Sequence, residues 1–143
     1  GHIISREGIR MDPDKIRTIQ NFQPPKNKKQ IQAFLGFINF YRKHIRDLSE
    51  FTAPLSESLK KGVQWNWTNQ HQEMFEKIKQ LFLEDIVIQY PDFNENFYLS
   101  TDASSTAIGA ELFQLDQKGR HRTLGFTSRT LKEAERNYYT TEL

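Results

Sequence analysis

From Asp12 to Pro91 the apolar residues of this 143-residue chain recur every three or four positions; beyond Pro91 they alternate with polar ones. Spacings of three and four lay side chains along one face of a helix, and a spacing of two lays them along one face of a strand. The change of period therefore predicts an α+β fold in which helices come first and a sheet follows. The length allows one domain or two small ones, with a sizeable core.

The helical part opens with a short hairpin, Ile3-Ile4-Ser5 and Ile9-Arg10-Met11 flanking Arg6-Glu7-Gly8, with Gly8 supplying the positive φ. Asp12-Pro13-Asp14 reads as an N-cap, a first-turn proline and an acid favoured by the helix dipole. That helix runs to about Phe22, buries Ile16 and Ile19, and is stopped by Gln23-Pro24-Pro25. In the next helix Asn27 and Gln30 form a capping-box pair. Its apolar stripe is Ile31, Phe34, Leu35, Ile38, Tyr41 and Ile45. A second stripe, Gln32, Gly36 and Phe40, lies on a different face. Gly36 costs that helix about 0.5–1 kcal/mol relative to Ala, so it answers either to close helix packing or to close approach of something else. A third helix over residues 49–60 faces inward with Phe51, Leu55 and Leu59 and closes at Lys60-Lys61-Gly62, where a unit boundary is expected. Thr68 caps a fourth helix to about Glu84, with Phe75, Ile78, Leu81 and Phe82 as its face, and Ile86-Val87-Ile88 follows as a short strand.

Past Pro91, Phe97, Leu99 and Thr101 predict a half-buried strand, residues 107–114 a second and residues 121–128 a third. Asp116-Gln117-Lys118-Gly119 is the last turn of a three-stranded antiparallel meander. Residues 132–136 look helical, and Thr140-Thr141-Glu142-Leu143 looks like a helix start.

The net charge of +2 hides an asymmetry. Residues 1–61 carry twelve Lys/Arg against six acids, +6, and residues 62–143 carry eight against twelve, −4. A basic half suits phosphate and an acidic half suits a divalent cation, although solvated surfaces give the same balance. With no Cys, disulfides, thiolate nucleophiles and Cys-based zinc sites are excluded. His2, His44, His71 and His121 have no metal-ligand spacing. No run of 18 apolar residues is present, so no membrane-spanning helix is expected. The N-terminus does not read as a signal peptide, and the missing initial Met suggests a processed chain or a fragment. Asp102 follows an apolar strand, where a carboxylate needs solvent, a partner or a metal, or caps the following turn. Glu142 sits in a first helical turn, where the dipole alone favours it.

The order of short motifs is more specific. Gly1-His2-Ile3-Ile4-Ser5 with Glu7-Gly8-Ile9, then Ala33-Phe34-Leu35-Gly36, Tyr41-Arg42-Lys43 and Ile45, then Trp65-Asn66-Trp67-Thr68, run through the first half. Ser100-Thr101-Asp102-Ala103-Ser104, Ile108-Gly109-Ala110, Ser128-Arg129-Thr130-Leu131, Tyr138 and Thr141-Glu142 complete the series. In this order they resemble the pol polyprotein of gypsy-type long-terminal-repeat retrotransposons, over essentially the whole chain. The stretch resembled runs from the end of the reverse-transcriptase palm through the thumb into ribonuclease H.

The resemblance implies the following roles. Residues 1–11 would end the palm as a primer-grip-like hairpin and 12–62 would be the thumb. Residues 63–95 would lead into ribonuclease H, and 96–143 would be the N-terminal part of that domain, truncated. Gln32, Gly36, Asn39 and Phe40 would follow the groove of a template–primer duplex, Gly1 and His2 would lie at the primer strand, and Lys28, Lys29, Arg42 and Lys43 would meet phosphates. Asp102 and Glu142 would be two of four acidic ligands for Mg²⁺ or Mn²⁺ ions about 4 Å apart. The parent reactions are RNA-directed DNA synthesis and hydrolysis of RNA in RNA–DNA hybrid. The chain alone is expected to be inactive and not to hold the metal stably, because neither active site is complete within it. Its expected partners are RNA–DNA hybrid or primed duplex and the rest of the polyprotein, with no membrane and with self-association through an exposed sheet. The expected location is intracellular, in a cytoplasmic retroelement particle or the nucleus. Two other readings stay open: a host-retained or truncated remnant serving as a nucleic-acid-binding or protein-interaction module, and a processivity subunit lending a thumb to a polymerase.

Overall fold

A computed structural model describes residues 2–84 and 87–132. β1 (His2–Ser5) and β2 (Gly8–Met11) form the expected hairpin, with Ser5 opposite Gly8. Gly8 has φ +141°, and a Cβ there would run into the carbonyl oxygen of Ile88. That oxygen is close because Ile9 and Ile88 each donate an N–H to the other's carbonyl at 2.8 Å. The strand expected at residues 86–88 is reduced to this one bridge, with Ile86 outside the described residues.

The caps fall where the sequence puts them. The Asp12 side chain accepts from the Asp14 N–H at the start of α1 (Pro13–Asn21). Asn27 accepts from the Gln30 N–H at the start of α2 (Lys28–Asn39), but the Gln30 side chain accepts from Lys26 N–H instead of closing the box on Asn27. α2 also ends earlier than its stripe. Residues Arg42–His44 form a 3₁₀ turn, tighter than an α-turn, which keeps Tyr41 and Ile45 on the core side. α3 (Leu48–Glu57) is entered through Asp47 in the left-handed region, φ +54°, and stops short of Lys60. Thr68 and His71 cap α4 (Asn69–Leu81) reciprocally, the Thr68 N–H donating to His71 Nδ1 and the His71 N–H donating to Thr68 Oγ1. α4 ends at Leu81 and does not reach Glu84.

The four helices close on one core. Ile19, Ile31, Phe34, Ile38, Leu55, Phe75 and Ile78 are completely buried. Phe34 meets the Phe75 ring at 4.8 Å and the edge of Phe22 at 5.3 Å. Each such side chain contributes roughly 1.5–3 kcal/mol by leaving water. α4 supplies Phe75 and Ile78, and its C-cap Phe82, to the same core.

The meander is present as β3 (Tyr98–Ala103), β4 (Ala107–Leu115) and β5 (His121–Thr130), antiparallel and in that order. Gly119, at φ +77°, and Asp116, accepting from the N–H groups of Lys118 and Arg120, shape the turn between β4 and β5. One expectation fails. The strand holding Leu99 and Thr101 is not half-buried: every residue of β3 is exposed, Leu99 by 65%, and Phe97 just before it is exposed too. β3 is an edge strand, and the helical unit packs over β4 and β5. The helices expected over residues 132–136 and from Thr140 fall, apart from Lys132, outside the described residues.

Candidate nucleic-acid interface and metal ligands

Burying Ile31, Phe34, Leu35 and Ile38 turns the opposite face of α2 outward. Gln32, Gly36, Asn39 and Phe40 are all exposed on it. Among the described residues a Cβ at Gly36 would meet nothing within 4 Å, so close helix packing among them does not explain the glycine. Phe40 closes the ridge with 63% of its surface exposed, a large apolar ring held in water.

The hairpin joins this ridge at its C-terminal end. The half-buried His2 ring lies 5.4 Å from Phe40, 5.2 Å from Tyr41 and 5.2 Å from His44. Burial, and then the positive charge of Lys43, keep its imidazole pKa below the ordinary value. Lys29 and Lys43 are exposed. Lys28 donates to the Lys60 carbonyl at 3.4 Å, and Arg42 donates to the Ser128 carbonyl of β5 at 2.6 Å. Arg42 thus spans from the helical unit to the sheet. Gly1 and Glu142 lie outside the described residues.

Asp102, Gly109 and Ser128 form one row across the three strands, since Asp102 pairs with Gly109 and Gly109 with Ser128. The start of α3 sits on that row. The Ser49 N–H donates to Ser128 Oγ at 2.8 Å, and the Asp47 carboxyl occupies the space a Gly109 Cβ would take. Asp47 and Asp102 line the same small cleft over this row. Burial raises the Asp47 pKa above the ordinary carboxylate range, the Asp102 charge raises it further, and Arg46 offsets part of this. Two rows further along, Glu111 is only 3% exposed. It accepts from Thr123 Oγ1 at 2.7 Å and Arg46 at 3.3 Å, and its Oε1 lies 3.1 Å from His121 Nδ1. Burial pushes its pKa up, and these partners together outweigh that and leave it lowered.

Among the described residues, no group of three or more His, Asp or Glu is arranged to hold a metal ion. Asp47 and Asp102 are two carboxyls, fewer than the clustered acidic ligands a two-ion site needs. The described residues therefore do not make that site, and Asp102 is one carboxylate beside Asp47. Asp47 was not singled out from the sequence. Its signal there is indirect: Gly109 sits on the same strand face as Glu111, but the side chain filling the gap comes from 62 positions earlier.

Residues 67–143 match the family described as the RNase H-like domain found in reverse transcriptase, and the chain belongs to that family. It is 38% identical over 139 residues to the retrovirus-related Pol polyprotein from transposon 297 of Drosophila melanogaster, covering 96% of this chain and 13% of that protein. It is 36% identical over 138 residues to the transposon Tf2-3 polyprotein of Schizosaccharomyces pombe, covering 96% and 10%. The chain thus spans about a tenth of the length of these relatives. Its fold is similar to the foamy viral protease–reverse transcriptase in complex with dsDNA, with TM-score 0.78 and 23% identity over 94% of this chain and 28% of that one. Against the same viral protein in complex with an RNA/DNA hybrid the TM-score is 0.79, with 22% identity over 95% and 18%. At this identity the likeness is one of fold.

Proposed function

We propose that this chain is the duplex-binding segment of a gypsy-type retroelement reverse transcriptase–ribonuclease H, docking RNA–DNA hybrid or primed DNA along the outer face of α2. The observation that carries this reading is the open space over Gly36, in line with exposed Gln32 and Phe40. A glycine that weakens a helix and packs against none of the described residues leaves room for an external ridge. A sugar–phosphate backbone fits it: Gln32 has donors and an acceptor for sugar and base edges, Phe40 packs on the groove wall, and Lys29 and Lys43 supply phosphate contacts. The relatives are Pol polyproteins, and the structures of similar fold hold nucleic acid.

On this reading Asp102 and Glu142 serve as metal ligands in the longer polyprotein, whose reactions are RNA-directed DNA synthesis and hydrolysis of hybrid RNA inside the cell, in a cytoplasmic particle or the nucleus. The 143-residue chain alone binds without cleaving. The test is a fluorescence titration of labelled RNA–DNA hybrid at several salt concentrations. The chain binds with a Kd of roughly 10⁻⁴–10⁻⁶ M near physiological salt, and Lys29→Ala and Lys43→Ala each lower the salt slope by about 1. No binding at low salt, or Mg²⁺-dependent cleavage by the purified chain, contradicts the proposal.

A further inference from the structure

His44 differs from the other histidines. It lies in the 3₁₀ turn between α2 and α3 with only 3% of its surface exposed. Its Nε2 is 3.2 Å from the carbonyl oxygen of Ile9, and a carbonyl only accepts, so Nε2 carries a hydrogen and donates it. Its Nδ1 is buried with no hydrogen-bond partner among the described residues. An unpaired buried acceptor is unfavourable, and an apolar ring of similar size would avoid it. What imidazole adds at this place is the donor to Ile9.

That one bond meets three parts of the molecule. Ile9 belongs to the hairpin and also pairs with Ile88. On its other side the His44 ring stacks on His2 at 5.2 Å with 25° between the planes, and His2 reaches Phe40 at 5.4 Å. Phe40 is the exposed end of the α2 ridge. We infer that His44 is a positioning residue: it fastens the β1–β2 hairpin to the helical unit and thereby sets the His2–Phe40 ring pair at the end of the nucleic-acid face. The inference rests on the duplex-binding reading above.

The Nε2–H can donate to Ile9 in either form of the ring, and it is burial that favours the neutral imidazole. A proton on Nδ1 would place a charge in a buried site. β1 faces it with His2, its own turn with Lys43 and the Tyr41 phenol next to His2, and β2 with the Ile9 carbonyl. Arg42 of the same turn is engaged with the Ser128 carbonyl of β5. Burial lowers the His44 pKa most; the Ile9 bond opposes this, and His2 and Lys43 add to the lowering. A histidine with a lowered folded value stabilises above its unfolded value and loses that contribution as pH falls. The hairpin therefore loosens as pH drops below about 6.5 toward the depressed folded value.

The experiment uses the full chain and two readouts, amide hydrogen exchange at Ile9 and Ile88, corrected for intrinsic rates, and Kd for labelled RNA–DNA hybrid. In His44→Phe, exchange at both amides accelerates by about fivefold or more and Kd rises by a similar factor, the size of one net hydrogen bond, while amides in α2 and α4 keep their protection. His44→Gln retains an N–H donor and cannot titrate, so it restores both readouts. Wild-type protection at Ile9 falls between about pH 7.5 and 5.5, and that of the Gln variant stays level. Unchanged protection in His44→Phe overturns the inference whatever the affinity. So does a released hairpin with unchanged affinity, or failure of His44→Gln to rescue. If the wild-type chain binds no hybrid, the duplex-binding function fails and the positioning role fails with it, while the exchange readout still reports whether His44 anchors the hairpin.

Discussion

The helical unit and the sheet are stabilised in different ways. The helices interdigitate Phe34, Phe75 and Phe82 with six or more aliphatic side chains and bury them completely or nearly so, with Phe22 partly buried against them. The sheet meets that unit through polar groups: Ser128 to Ser49, Asp47 over Gly109, Arg42 to the Ser128 carbonyl, and Arg46 to Glu111 while lying 4.8 Å over Phe126. Its far strand, β3, is exposed throughout. A core of apolar rings is tolerant of solvent conditions and intolerant of lost volume. A polar seam is the reverse, sensitive to pH and to the loss of single hydrogen bonds.

The contrast can be broken most forcefully in the helical core. Phe34→Ala is expected to cost about 3–5 kcal/mol by urea unfolding; a loss below about 1 kcal/mol, the scale of a tolerated core swap, would mean that the rings do not carry the unit. Next comes the seam. Gly109→Val drives a side chain into Asp47 and is expected to cost about 1–3 kcal/mol, with hydrogen exchange rising in β4 and β5 ahead of α2. Adding Asp47→Ala should recover part of that loss, and strict additivity of the two changes would show that they do not touch.

The third effect is pH dependence. The Glu111 pKa is lowered in the folded state, so its contribution is present above the unfolded value of about 4.3 and is lost as pH falls through the lowered one. Denaturant midpoints of the wild type should drop over that acid range by roughly 1–3 kcal/mol in stability, and Glu111→Gln should flatten the drop. The smallest effect belongs to β3. Leu99→Lys should change stability by less than about 0.5 kcal/mol, while lowering any concentration dependence seen in sedimentation, because a charge on an exposed edge opposes strand pairing between chains.

Local chemistry was readable from the residues alone. Asp12, Asn27 and Thr68 cap the helices the sequence assigns to them, because capping needs only a side-chain oxygen two or three residues from an unpaired N–H. The α2 stripe, the meander and the separate face of Gln32, Gly36 and Phe40 follow from period alone, whereas the outward turn of that face is seen only in the fold. What could not be read depends on residues far apart in the chain. The end of α2 at Asn39 reflects the turn that brings His44 to Ile9, and β3 differs from β4 because the helical unit covers one and not the other. Asp47 enters the Asp102 site only through the fold, and two short-range readings of Asp102, turn cap or ligand, gave no hint of it.

The central claim is that the face of α2 around Gly36 is kept open for a duplex. The direct measurement pairs thermal unfolding with hybrid affinity in Gly36→Val. Valine is a better helix residue than glycine, and its Cβ meets none of the described residues within 4 Å, so Tm should hold or rise slightly. Affinity should fall by about tenfold or more, 1.4 kcal/mol. A Gly36→Val chain that binds hybrid as tightly as the wild type, with its fold intact, would contradict the account.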